Sequence, residues 1–183
     1  MLSVPRSTDV LKYTRTAIVL HWLLALALLA QITFGFFLDE IAPRNTPARA
    51  GVINLHKSCG MVLGMLILLR LVWRLRHAPP PWPAAMLLGE RRAANVAHWL
   101  LYACMVVMPL SGYVASNFSK YGVVFFGMHL EPWAPTLPKV YAFFNGVHVV
   151  TAFIFTALIL GHIVAALRHA WKQRDGIFSR MLL

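Results

Sequence analysis

Acidic side chains are scarce in this 183-residue chain: six Asp and Glu stand against seventeen Lys and Arg. Charged residues of either sign make up only 13% of the sequence, while 59% is hydrophobic. So little polar sequence cannot coat the core of an ordinary soluble domain, which excludes that class. Cysteine is as sparse. Cys59 and Cys104 fall in different apolar runs, where a thiol behaves as a small hydrophobe. There is no Cys-x-x-Cys-His, so covalent c-type haem attachment is excluded. No Asp or Glu lies inside a long apolar run, which argues against a zinc site or a metal-transport path. Repeats and low-complexity segments are missing too, and with them the usual signature of a secondary transporter. The first apolar run is too long for a signal peptide and lacks a clear cleavage site, so it is expected to stay as a span.

What the chain does have is four long apolar runs. Thr16–Leu38, Ala93–Phe118 and Val140–Leu167 are uncharged, and Asn54–Leu75 is interrupted only by Lys57, Arg70 and Arg74. Each is long enough to cross a bilayer as a helix. The fold class expected is all-α: a four-transmembrane-helix bundle forming a single membrane domain over residues 1–183. The net charge of +11 would suggest nucleic acid in a soluble protein. Here the cations flank the spans. Twelve Lys and Arg lie at or before the start of the first run, around the connection from the second run to the third (Arg70 and Arg74 at the end of the second run included), and after the fourth; five lie in or beside the other two connections. That asymmetry predicts cytoplasmic N- and C-termini, contact with anionic lipid and no nucleic-acid partner.

Eight histidines sort by depth. His148 and His162 sit fourteen residues apart in the fourth run. At about 100° per residue, fourteen steps fall roughly 40° short of four turns, so both rings share one face. Their separation of roughly 21 Å places one toward each side of a membrane. His21 lies near the inner end of the first run and His56 near the outer end of the second. Two rings are thus available at each of two depths, His21 with His162 and His56 with His148. Imidazole is costly in lipid and faces a bundle interior with a partner. Two imidazoles facing across a bundle can clamp one haem, so two such pairs predict a two-haem electron wire. His77, His129 and His169 fall at interfaces or in loops, whereas His98 is near the inner end of the third run and is expected beside a haem or a quinone.

Other features refine this picture. Arg70 is the one charge well inside the second run, and an unpaired cation there is expensive, so it either snorkels or meets a haem propionate. Gly60 and Gly64 share the face of His56, spaced either for a close helix approach or to leave room for a flat ring. Pro109 with Gly112 predicts a kink in the third helix. Pro43 and Pro47 mark residues 39–53 as an irregular outer loop, and the proline segment 79–83 ends the second helix. The apolar stretch 121–130 is too short to span and is expected at the outer mouth or as a lid.

These pieces together resemble the bacterial cytochrome b561 family, short four-helix di-haem proteins that include the superoxide oxidase. The resemblance is carried by His21-Trp22, by Asn54-x-His56-x-Ser58-Cys59-Gly60, and by the arginine-bearing end of the second run with its proline loop. His98-x-x-x-Tyr102 with Pro109-x-x-Gly112, and the His148/His162 pair, complete it. It implies two haem b cofactors in a bacterial inner membrane, with His21, His56, His148 and His162 as axial ligands. It further implies superoxide as electron donor and ubiquinone as acceptor. Independently of the resemblance, Lys57 lies beside His56 in a modest outer excess of positive charge and is expected to steer such an anion. The alternative is a b-type electron-transfer subunit between the quinone pool and a periplasmic redox partner; a non-redox channel would leave the four histidines unexplained.

Overall fold

A computed structural model of the chain describes residues 12–83 and 86–183. It is mostly helical: α1 (Arg15–Phe36), a short α2 (Leu38–Ile41), α3 (Ala48–Arg76), α4 (Leu88–Asn117) and α5 (Pro138–Arg168). Four of these, α1, α3, α4 and α5, are long and apolar enough to cross a membrane. Their outward faces suit lipid, with Leu26, Met65, Phe143 and Val164 standing 65%, 69%, 66% and 66% exposed. Arg6, counted among the flanking cations, lies outside the described residues.

Helix ends follow local chemistry. Thr14 caps α1, its hydroxyl accepting from the Ala17 N–H at 3.3 Å. The helix α3 begins at Ala48, ahead of the Asn54 boundary expected from hydropathy. Its extra turns carry one cation, Arg49, which ties them to α2: it donates to the Ala42 carbonyl at 2.6 Å and pairs with Asp39 at 2.6 Å. That hydrogen bond from Arg49 holds the Asp39 carboxyl below the usual carboxylate range. Residues 39–53 are therefore largely helical, and the irregular loop expected there shrinks to a few residues. Similarly, α4 starts at Leu88 instead of Ala93, with Glu90 in a first turn that favours negative charge.

A small apolar core holds the bundle at mid-depth. Leu24 of α1, Leu63 and Ile67 of α3, Cys104 and Met105 of α4, and Phe155 of α5 form one buried cluster. The most extensive helix pairing is α4 on α5. Helix α4 continues through Pro109, and α3 fits around that proline: a Cβ on Gly64 would come within 3.2 Å of the Pro109 Cβ. Gly64 thus serves close helix approach. A Cβ on Gly60 would lie 3.5 Å from the Gln31 side-chain nitrogen, an ordinary contact.

The stretch 121–130 folds as a hairpin, β1 (Val123–Phe125) antiparallel to β2 (Met128–Leu130), with Phe125 paired to Met128. The two turn residues, Phe126 and Gly127, both have positive φ, at 45° and 91°. Such a turn matches the twist of a hairpin, although a side chain at the first position is unusual. The hairpin is bolted to α3. Buried Ser58 accepts from the Phe126 N–H at 2.9 Å and lies 3.1 Å from the Val124 carbonyl, while Lys57 donates to the Gly122 carbonyl at 3.0 Å. At the opposite end the tail after α5 folds back under the bundle. Trp22 donates to the Met181 carbonyl at 2.7 Å, and the Tyr13 N–H reaches the Arg180 carbonyl at 3.3 Å. His169 and Asp175 close the intervening turn at 2.7 Å.

Candidate functional site

The bundle interior carries two tiers of histidine, one toward the hairpin and one toward the folded-back tail. In the hairpin tier, His56 of α3 faces His148 of α5 with ring centroids 6.3 Å apart. In the tail tier, His21 of α1 faces His162 of α5, again at 6.3 Å. Both pairings are those expected from depth. The equality of the two distances has a simple chemical meaning. Metal–imidazole bonds are roughly 2 Å and a nitrogen lies about 1 Å from its ring centre, so two imidazoles on opposite faces of one iron have centroids about 6 Å apart. A bis-histidine haem therefore fits each tier in ring spacing.

The neighbours of each ring are equally ordered. His148 Nδ1 lies 2.9 Å from the Met108 carbonyl, which can only accept, so Nδ1 carries the proton and Nε2 is left with a free lone pair. The Gln31 amide of α1 donates to the His56 carbonyl at 2.7 Å and stands 3.1 Å from its Nδ1. Glycines make room for these rings. A Cβ on Gly35 would lie 3.0 Å from His56 Cε1, and one on Gly112 would lie 3.0 Å from His148 Nδ1. Gly112 is thus a spacer for a histidine.

In the tail tier the Arg70 guanidinium approaches His21 Nδ1 at 3.0 Å. Its other terminal nitrogen, Nη1, is buried with no hydrogen-bond partner among the described residues. A buried cation donor without a partner is costly and suits a carboxylate, such as that of a haem propionate. His98 joins this tier, its ring centroid 5.5 Å from that of His162, and Trp82 of the proline segment lies parallel to it. Trp22 packs edge-on against His21 at 5.3 Å. Lys57 is half-buried, with its ammonium turned to the hairpin backbone and not free at an open mouth. Sequence reasoning did not single out Gln31, Met108 or Trp82 as partners. Gln31 had a usable signal as an amide in an uncharged run; a backbone carbonyl such as that of Met108 has none.

A family model described as prokaryotic cytochrome b561 matches residues 12–183. The chain belongs to that family. Its relatives include cytochrome b561 homolog 1 of Escherichia coli K12, 26% identical over 178 residues that cover 93% of this chain and 97% of the relative. Homolog 2 of the same organism is 27% identical over 173 residues, covering 93% and 91%. A protein of Yersinia pestis named probable superoxide oxidase CybB is 29% identical over 181 residues, covering 93% and 96%. Membership makes this cytochrome b561-family chain a multi-pass bacterial membrane protein that binds haem b and transfers electrons.

Proposed function

We propose that the chain is a two-haem membrane oxidoreductase that collects single electrons at its hairpin end and passes them in pairs to a membrane quinone. The observation that carries this is the pair of histidine tiers, each with rings 6.3 Å apart. His56 and His148 would hold one haem b, and His21 and His162 the other. A haem held in each tier would supply reversible one-electron transfer. The chain's own residues do the rest. The Met108 carbonyl sets the His148 tautomer, Gly35 and Gly112 leave ring space, and Arg70 offers its spare Nη1 to a carboxylate. Phe155, Leu24 and Ile67 keep water out between the tiers.

The donor we assign is superoxide, in keeping with the name of the Yersinia pestis relative. Two superoxide anions each give up one electron and leave as dioxygen. One ubiquinone takes both electrons and two protons and leaves as the quinol. Lys57 keeps a positive charge next to His56 even while bonded to the Gly122 carbonyl, and so favours the approach of a small anion. The excess of flanking cations at the tail end supports an inner-membrane orientation with the folded-back tail in the cytoplasm and the hairpin in the periplasm. A second reading, an electron-transfer subunit served by a periplasmic redox protein, draws on the hairpin end, where Tyr121, Phe126, Met128 and Trp133 are all exposed.

Mixing the purified, oxidised holoprotein with a superoxide pulse and following haem absorbance tests the first reading. Fast reduction, reversed when ubiquinone is present, is the expected result. Haem that ignores superoxide yet reduces with quinol would leave the subunit reading in its place.

A further inference from the structure

Trp82 occupies the stiffest backbone in the chain, with Pro79, Pro80 and Pro81 before it and Pro83 after it. Both flanking carbonyls are clamped by arginines. Arg180 of the tail donates to the Pro81 carbonyl at 2.6 Å, and Arg91 of α4 donates to those of Pro83 and Met86 at 2.8 and 2.9 Å. An indole on a short connection is thus held in place from both sides. Ordinary loop tryptophans at a membrane interface need no such clamp.

The clamp presents the indole to the tail tier. Its ring is parallel to the His98 imidazole within 2°, with centroids 6.3 Å apart. These rings are not in direct stacking contact; Trp73 and His77, which are, have centroids 4.0 Å apart. The ring nitrogens of His98 have no hydrogen-bond partner among the described residues. On its other side His98 is 5.5 Å from His162. Its neighbours on α4, Val96 and Trp99, are 59% and 61% exposed on the face that suits lipid. A flat apolar surface, an unpaired hydrogen-bonding group and an opening toward lipid therefore meet beside one histidine tier.

We infer that this Trp82–His98 pair is the docking site of the quinone headgroup, with the ring stacked on the indole and one carbonyl accepting a hydrogen bond from His98. The inference rests on the proposed quinone-reducing reading and locates its acceptor. Stacking on a fixed aromatic face costs little ordering on binding, which gives the arginine clamp its purpose. Arg91 and Arg180 are positioning residues on this account.

The test uses the haem-loaded protein in nanodiscs and a photoreactive azido-ubiquinone with a short tail. Light should attach it to peptides bearing Trp82 or His98, and excess short-chain ubiquinone should prevent this. Trp82→Leu should weaken equilibrium binding of that ubiquinone about tenfold, while Trp82→Phe restores most of it. Arg180→Gln, which frees the loop and keeps the indole, should weaken binding to a lesser degree without moving the adduct. The reduced haem spectrum should stay unchanged in all three. Adducts confined to other segments, or unchanged affinity in both Trp82→Leu and Arg180→Gln, would overturn the site and leave the quinone reading standing. No saturable binding by the wild-type protein would remove that reading, and this site with it.

Discussion

A histidine in a bilayer is held by what surrounds its ring, and the two tiers differ in that respect. His148 gives its Nδ1 proton to the Met108 carbonyl, while His21 faces an arginine that can only donate. As the proposed ligands of separate haems, they should fail separately. His148→Ala is expected to abolish one b-haem and His162→Ala the other, read by haem stoichiometry and the low-temperature spectrum. Loss of the same haem in both variants would mean the pairing is wrong. Gly112→Ala makes a finer test. Its new Cβ would lie 3.0 Å from His148 Nδ1, whereas a Cβ on Gly161 meets nothing within 4 Å. Alanine improves helix propensity at either position by up to about 1 kcal/mol. A disturbed or missing hairpin-tier haem in Gly112→Ala alone therefore points to the ring contact, because helix stability moves the other way. His148 and His162 were legible because their fourteen-residue spacing is a property of the helix itself. The same interval separates His21 from Gly35 and His98 from Gly112, but which neighbour each glycine serves depends on helix packing.

Among the elements, the hairpin depends most on its attachment. Two short strands are marginal alone, and this pair hangs on Ser58 and Lys57 of α3. Ser58→Ala leaves the Phe126 N–H without its acceptor at a turn already strained by positive φ, at a cost of about 1 kcal/mol. Protease added to right-side-out membranes should then cut near Phe126 faster, with both haems retained. Equal cutting rates in variant and wild type would show that the hairpin is held otherwise. The hairpin could be read from sequence as a segment too short to span but not as strands, since its turn lacks the Asn-Gly or Asp-Gly signal. The early starts of α3 and α4 were hidden for a related reason. Hydropathy marks where a helix enters lipid, while its end is set by caps and by charges such as Arg49 and Glu90 that lie outside the apolar run.

Across the whole molecule, the proposed orientation and the proposed approach of the anion both draw on the charge distribution. At the hairpin end the cations Arg44, Arg49, Lys57, Lys120 and Lys139 face Asp39, Glu40 and Glu131, a small positive excess. Lys57→Glu is expected to slow superoxide oxidation severalfold, and most strongly at low salt where charges are least screened. A rate unchanged at every ionic strength would take Lys57 out of the steering role. Orientation has its own test. Reporters fused after Leu183 should show activity on the cytoplasmic side, and reporters inserted at Gly127 on the periplasmic side. The reverse result would invert the proposed direction of electron flow.

Four spans, two depths of histidine and the absence of carboxylates among them were determined by the sequence alone, because bilayer thickness and helical rise convert residue counts directly into depth. Tertiary structure decided what each depth contains. Gly64 fits Pro109, Gly112 fits His148, Arg70 turns one nitrogen to His21 and leaves the other without a partner among the described residues, and Trp82 comes to lie across from His98. These contacts join residues far apart in the chain, through the rotation of one helix against another. Helical periodicity gives depth and face, but that rotation is set by side-chain packing between helices, which no single helix encodes.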